Sequence, residues 1–427
     1  MDDLIATYYF RPRDGVTADF AAQAISEEQT TGTWTNLSTV NDHTAYVHAY
    51  DGEVMDIVSL GDGGYVTRIR YPYEIFEPGN IPQYHSVIAG NLFGLGKLEA
   101  VRLLDIDLPD AFRTVHPGPK FGIEGVRKIV GTEISRRPHV GTIIKPKVGL
   151  NPKDTAAVAY EAAIGGVDLI KDDETLTNQR FCPLMDRLAA VMDALERAEQ
   201  ETGRTVLYAL NVTTDGDTIV EAGEKAVKAG ANMLMVDVLT AGFSAVQALA
   251  ADPAITVPIH VHRTMHGALT RNPHHGIAMR PIAKLVRLCG GDQLHTGTVS
   301  GKMGGSAAEI LGDNTILTES WGPVAPVFPV ASGGLHPGKV HAELAALGTE
   351  IVLQAGGGIH GHPDGTRAGA AAMRQAVDAF LAGMSAEEYA KTHPKLARAL
   401  AAWGNDIVRI FFLPWFPAAG GEPRGDE

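Results

Sequence analysis

The chain has 427 residues, 45% of them hydrophobic and 20% charged. With no low-complexity tract, that balance excludes a disordered protein and predicts a globular one. A net charge of −14 opposes the phosphate backbone of nucleic acid, and no basic stripe with interleaved aromatics offsets it, so no nucleic-acid partner is expected.

The opening MDDLIATYYF is acidic and lacks a basic segment followed by an apolar one, so no secretory signal is expected. No apolar run reaches the roughly 18 to 20 residues needed to cross a bilayer; IVRIFFLPWFP is too short and is broken by proline. Cys182 and Cys289 are the only cysteines and neither stands near a second one, so the reducing cytoplasm is the expected compartment.

Residues 1 to about 120 mix strand-like runs (LIATYYF, TAYVHAY, GYVTRIRYPY) with a helical stretch around Phe20 to Ser26, which predicts an α+β domain on an antiparallel sheet. HPGPKFG, residues 116 to 122, reads as a linker. A second domain, 121–427, then alternates β-rich runs with Ala-rich amphipathic helices. The predicted strands are HVGTIIK, GVDLIK, TVLYALNV, NMLMVDVL, PIHVHRT, DQLHTGT, VFPVASG and IVLQAGG. Eight such units close naturally into a (β/α)8 TIM barrel; a doubly wound sheet would carry a Gly-rich dinucleotide fingerprint in its first βα turn, and none is seen. SAEEYAKTHPKLARALAAWG predicts one or two further helices before a Gly/Pro/acid tail.

Barrel chemistry sits where strands end at their C-terminal side. Those ends carry Lys145 and Lys147 on the first strand, Lys171, Asp172, Asp173 and Glu174 on the second, Asn211 on the third and Asp237 on the fourth. The fifth carries His260, His262, Arg263 and His266, the sixth His295, Thr296 and Thr298, the seventh Ser332, Gly333 and Gly334, and the eighth Gly356, Gly357 and Gly358. A nearly complete polar ring predicts an active site.

Asp173 and Glu174 offer hard oxygen ligands suited to Mg²⁺. Lys171 beside them would repel the ion as an ammonium, but a desolvated lysine can lose its proton and react with CO₂ to give an anionic carbamate ligand. A salt bridge from Lys171 to its neighbours is the alternative. The glycine loops after the last two strands suit a phosphate, and Arg263 with His295 suits a second, which implies a bisphosphorylated substrate. HVHRTMH also invites a zinc reading, but in hydrolase barrels that combine H-x-H with a carbamylated lysine the pair lies on the first strand and the lysine on the fourth. An enolase-type site fails as well, since Asn211 and histidines stand where carboxylates are needed. His260 reads as a core histidine, and His274 and His275 as structural.

With these residues assembled, the chain resembles the large-subunit family of ribulose-1,5-bisphosphate carboxylase/oxygenase, RuBisCO. TGTWT, GNLFG, KPKVG, GGVDLIKDDE, HVHRTMHG, HTGTVSGKM, VASGGLHPG and QAGGGIHGHP carry the likeness in order, from about residue 4 to about residue 400. TRNPHHGIAM and the short N-terminus are most like the archaeal form III members. The resemblance implies carboxylation, and oxygenation, of ribulose 1,5-bisphosphate through a Mg-bound enediolate, giving 3-phosphoglycerate. It makes Lys171, activated by CO₂ to a carbamate, the ligand that completes the Mg²⁺ site with Asp173 and Glu174 and the base that takes the C3 proton. Lys145, tuned by Lys147, would be the acid/base that handles the enediol and protonates the product carbanion, and His262 would assist hydration. Arg263, His295 and Ser332 would bind one phosphate, and Gly334, Gly356, Gly357, Thr33 and Trp34 the other. Lys302 would hold the incoming CO₂, oriented by Glu28. Glu28, Thr33, Trp34 and Asn91 would come from the neighbouring subunit, making a homodimer the smallest active unit; no small subunit is expected. Ile143, where many carboxylases have threonine, and the glycines of MGGSAAEI after Lys302 depart from the family pattern and bear on CO₂/O₂ specificity. The rivals are a RuBisCO-like enolase, isomerase or decarboxylase of another sugar phosphate, and a silent phosphosugar-binding protein.

Overall fold

The computed structural model describes residues 2–33, 35, 37–300 and 306–405. Its N-terminal part is a sheet of order β10-β4-β1-β3-β2. It comprises β1 (Leu4–Pro12), β2 (Glu53–Ser59), β3 (Tyr65–Tyr71) and β4 (Leu98–Asp107), which pair antiparallel with one another, and a short fifth strand from the barrel part that pairs parallel with β4. Alternation along β1 sends Leu4, Ala6, Tyr8 and Phe10 into the core beneath the helix Ala18–Glu28. That helix starts where the Thr17 hydroxyl accepts from the Phe20 N–H.

TAYVHAY is not a strand. Residues Ala45–Tyr50 form a 3-10 helix in which Tyr46 and Tyr50 stay exposed, so its alternating aromatics have no layer to face. The strand lies one step later, at β2, whose own alternation is weakened by exposure at the sheet edge.

The remaining strands are β5 (His139–Ile143), β6 (Leu169–Lys171), β7 (Leu207–Asn211), β8 (Met233–Asp237), β9 (Ile259–His262), β10 (Gly276–Ile277), β11 (Gln293–His295), β12 (Phe328–Ser332) and β13 (Val352–Ala355). All except β10 close into one parallel barrel of eight strands, each falling within a run predicted from the sequence. Leu169, Leu207, Ala209, Met233, Met235, Phe328, Val330 and Val352 fill its interior. Inward and outward positions alternate on a strand, so this set also decides which residues point inward higher up: Lys171, Asn211, Asp237, His262, His295, Ser332 and Gln354. Gly141 is small for a packing reason, because a Cβ there would lie 1.9 Å from Gln354 Oε1.

The two parts are stitched together twice. Residues 116–122 are no free tether: Phe121 and Gly122 donate their N–H groups to Asp292 Oδ1 at 2.8 and 2.7 Å, and Gly118 N–H to the Leu288 carbonyl. The barrel returns the favour through β10, which pairs parallel with β4, while His274 packs on the Tyr9 ring and His275 Nδ1 accepts from Val101 N–H. Helices Ala386–Ala390 and Pro394–Trp403 close the described chain. Among the described residues no helix is long and apolar enough to cross a membrane, and both cysteines are buried and unpaired.

Candidate active site

A cleft of about 760 Å³ opens at the C-terminal ends of the barrel strands. Residues singled out from the sequence line it: Lys145, Lys171, Glu174, His262, Arg263, His266, His295, Ser332, Gly333, Gly334, Gly356 and Gly357, with Ile143 beside them. Lys171, His262, His295 and Ser332 end their strands on the inward phase, and the remaining polar residues and glycines stand in the segments that follow the strand ends.

Lys171 is fully buried at the end of β6. Its Nζ donates to the Asp172 carbonyl at 2.6 Å and stands 3.9 Å from Glu174 Oε2. Burial pushes its pKa down, and the charges of Glu174, Asp173 and Asp237 do not fully offset that loss of solvent. The neutral amine is thus favoured relative to a lysine in water.

The three acids after Lys171 do not act as one cluster. Asp172 points outward from the barrel interior, where it forms an ion pair with the buried Arg187 at 3.1 Å and accepts from the Tyr208 hydroxyl at 2.6 Å and the Asn211 N–H at 3.0 Å. Asp173 instead faces Lys145, whose Nζ donates to its Oδ2 at 2.7 Å, while the Thr175 hydroxyl donates to Oδ1. Burial acts to raise the Asp173 pKa, but the Lys145 hydrogen bond and charge prevail and lower it. Glu174 projects into the cleft with His262 Nε2 3.8 Å from its Oε2.

His262 is held from behind, its Nδ1 2.9 Å from Asp237 Oδ1. Burial and the nearby Lys171 push the imidazole down to about 3, and burial pushes Asp237 up to about 6. On the next strand His295 contacts Ser332 Oγ through Nδ1 at 2.7 Å and His260 through Nε2 at 2.8 Å. Arg263 is 7% exposed, and desolvation lowers its pKa to about 10, so it is a cation held ready inside the cleft wall. At the end of β12, Gly333 and Gly334 take φ of 116° and 79°, a left-handed backbone that favours glycine and bares main-chain groups there.

The other predicted positions lie elsewhere. Lys147 is exposed on the loop after β5. Glu28, Thr33 and Asn91 belong to the N-terminal part and do not line the barrel cleft of their own chain; Thr33 borders a separate cleft of about 580 Å³ with Thr30, Thr31 and Lys97. Trp34 and Lys302 lie outside the described residues. The cleft also has walls not predicted as site residues, Gln354, Thr270 and Arg271. Gln354 was within reach of sequence reasoning, since it keeps the inward phase of Val352, whereas Thr270 and Arg271 arrive on a short helix whose placement follows from β10.

Two carboxylates and a lysine make a donor set suited to a hard divalent ion only if the lysine becomes an oxygen ligand. A carbamate on Lys171 would do so, and the buried, pKa-lowered amine between Glu174 and Asp173 fits that conversion. Among the described residues no group of three or more His, Cys, Asp or Glu is arranged to hold a metal.

Known proteins share this architecture. The chain matches the family models for the ribulose bisphosphate carboxylase large chain, the N-terminal domain over residues 1–112 and the catalytic domain over residues 122–403. It is 42% identical over 404 residues to the ribulose bisphosphate carboxylase of Pyrococcus abyssi, covering 94% of each chain. The Archaeoglobus fulgidus enzyme is 41% identical over 423 residues, covering 95% of each. Among solved structures, octameric Rubisco from Pyrococcus horikoshii superposes with a TM-score of 0.88 at 40% identity, covering 94% of both chains. Dimeric archaeal Rubisco from Hyperthermus butylicus gives 0.87 at 40% identity, covering 95% of this chain and 96% of that one. Family models on both sides of residues 116–122 and relatives aligned end to end lead to one conclusion: the chain belongs to the ribulose bisphosphate carboxylase large-chain family.

Proposed function

We propose that this protein carboxylates ribulose 1,5-bisphosphate to 3-phosphoglycerate, with oxygenation as a competing reaction of the same enediol. The observation that carries the reading is Lys171, an amine buried at the foot of the cleft with its basicity lowered and carboxylates beside it. The neutral Nζ attacks the carbon of CO₂, a carbon–nitrogen bond forms and one proton leaves, giving a carbamate anion. Lys171 in that form, with Asp173 and Glu174, would hold Mg²⁺. When bound, the ion would polarise the substrate carbonyl and stabilise charge on its oxygens.

The carbamate oxygen takes the proton from C3. Lys145, kept in place by Asp173, holds and returns protons at the enediol and at the final carbanion. His262, backed by Asp237, assists hydration of the ketone. Arg263, His295 and Ser332 would bind one phosphate, and Gly334, Gly356 and Gly357 the second; all six line the cleft. Thr33, Trp34, Glu28 and Asn91 complete the site from a second copy, so the active unit is a homodimer or an oligomer of dimers. This is consistent with a one-chain cleft lined by barrel residues alone.

The test is incubation with ribulose bisphosphate, Mg²⁺ and labelled bicarbonate, scoring labelled 3-phosphoglycerate. Lys302→Ala separates the steps: it should cut carboxylation on the order of 10²- to 10³-fold while leaving exchange of the C3 proton measurable. Wild-type protein that exchanges that proton but fixes no CO₂ is an enolase-type relative instead.

A further inference from the structure

Three buried side chains and the half-buried Ser332 form an unbroken hydrogen-bonded row across three neighbouring strands. Gln293 Oε1 lies 2.7 Å from His260 Nδ1, His260 Nε2 lies 2.8 Å from His295 Nε2, and His295 Nδ1 lies 2.7 Å from Ser332 Oγ. Gln293 is the buried end of the row, and Ser332 is the end that opens on the cleft. Burial strongly disfavours charge on both rings. Two neutral rings with their Nε2 atoms in contact share a single proton there, so the direction of one bond dictates all the others.

With Oε1 of Gln293 facing Nδ1, His260 donates to Gln293, His295 donates to His260, and the Ser332 hydroxyl donates to His295. Ser332 then shows the cleft only lone pairs, which an anion cannot use. The other end of the amide, Nε2, has no hydrogen-bond partner among the described residues, so a half-turn of Gln293 sacrifices no existing bond. After that turn the amide N–H donates to His260, every bond reverses, and Ser332 is free to donate to an oxyanion.

We infer that Gln293, acting through His260 and His295, sets whether the Ser332 hydroxyl donates or accepts toward the cleft, and that an anionic oxygen docking at Ser332 reverses the row. The protons balance. Ser332 passes its proton to His295 Nδ1, His295 passes the one on Nε2 to His260 Nε2, His260 releases the one on Nδ1 to solvent, and Ser332 takes one up from the cleft. Net charge is unchanged. Gln293 is thus a positioning residue that reaches the substrate only through His260, His295 and Ser332, and the inference rests on the reading of Ser332 as an anion-binding group.

The test uses the intact oligomer with ¹⁵N-labelled histidine, His260 and His295 being assigned, and inorganic phosphate as the probe. Ring ¹⁵N shifts separate an N–H from a bare nitrogen. Without phosphate His295 should carry its proton on Nε2 and His260 on Nδ1; at saturation both should switch. Tautomers that stay fixed at saturating phosphate overturn the inference. In kinetics, Gln293→Leu should raise KM for ribulose bisphosphate on the order of tenfold with a much smaller change in kcat, as loss of one charge-assisted hydrogen bond implies. It should add nothing in a Ser332→Ala background. An equal effect of Gln293→Leu with and without Ser332 would show a merely structural role and overturn the inference. Carboxylation assays on the same preparations keep the two readings apart: an active carboxylase with fixed tautomers defeats the row alone, and an inactive protein whose tautomers switch defeats the proposed reaction alone.

Discussion

The two ends of the barrel treat buried charge in opposite ways. At the N-terminal end Asp168, just before β6, accepts from Arg137 at 2.8 and 2.7 Å, from Val140 N–H at 2.9 Å and from Arg374, and its pKa is lowered by those partners against the cost of burial. Asp292, just before β11, accepts three backbone N–H groups. At the C-terminal end of β6, three residues after Asp168, Lys171 is equally buried, yet its Nζ has one short bond, to a carbonyl, and its nearest ion-pair oxygen is 3.9 Å away. Fully satisfied charges lock a structure, and an under-satisfied one is available to react. One strand therefore carries a structural charge at its foot and, on the proposed function, a reactive group at its head.

The largest effect that can break this comparison is on activity. Lys171→Met keeps the bulk and removes the amine, and carboxylation should fall on the order of 10⁴-fold. Urea unfolding should move by only about 1 kcal/mol, the worth of one hydrogen bond. A variant that keeps a substantial fraction of its activity, or one that unfolds, contradicts the assignment of Lys171 to chemistry.

Asp168→Ala is the converse. Leaving Arg137 and Arg374 without their carboxylate should cost about 3–5 kcal/mol in unfolding experiments. The fraction that remains folded should keep wild-type kcat and KM. A drop in kcat at unchanged stability would erase the distinction between the two ends.

A smaller effect sharpens it through pH. His139, at the foot of β5, has its pKa pushed down to about 3 by burial, against an ordinary value of 6.5. Because the fold favours its neutral form, its contribution to stability is complete above pH 6.5 and is lost as pH falls toward 3, at about 1.4 kcal/mol per pH unit. Unfolding midpoints taken between pH 7 and 5 should therefore decline, and His139→Gln should make that decline shallower by about one proton. An unchanged slope in the variant would mean that His139 is already charged in the fold.

How much of this could be read beforehand is clearest at residues 171 to 174. That a lysine and three acids end a barrel strand followed from local pattern alone, an apolar run followed by charges. That Asp172 turns away to Arg187 and Tyr208 while Asp173 turns toward Lys145 did not, because it depends on which phase of the two-residue repeat faces inward. TAYVHAY misled for a related reason: alternation predicts a strand only if a neighbouring layer covers it, and among the described residues none does.

The sequence by itself determined the order of the barrel strands and the chemistry of their ends. Both are encoded within a few residues, by the two-residue strand period, the helix caps and the glycines. Tertiary structure alone decided the anchoring of residues 116–122 on Asp292, the return of β10 to the N-terminal sheet, and the row joining Gln293, His260, His295 and Ser332. Each of these joins groups far apart along the chain or on different strands. Their meeting is set by the register in which a closed barrel aligns its strands, a quantity that no local stretch of sequence contains.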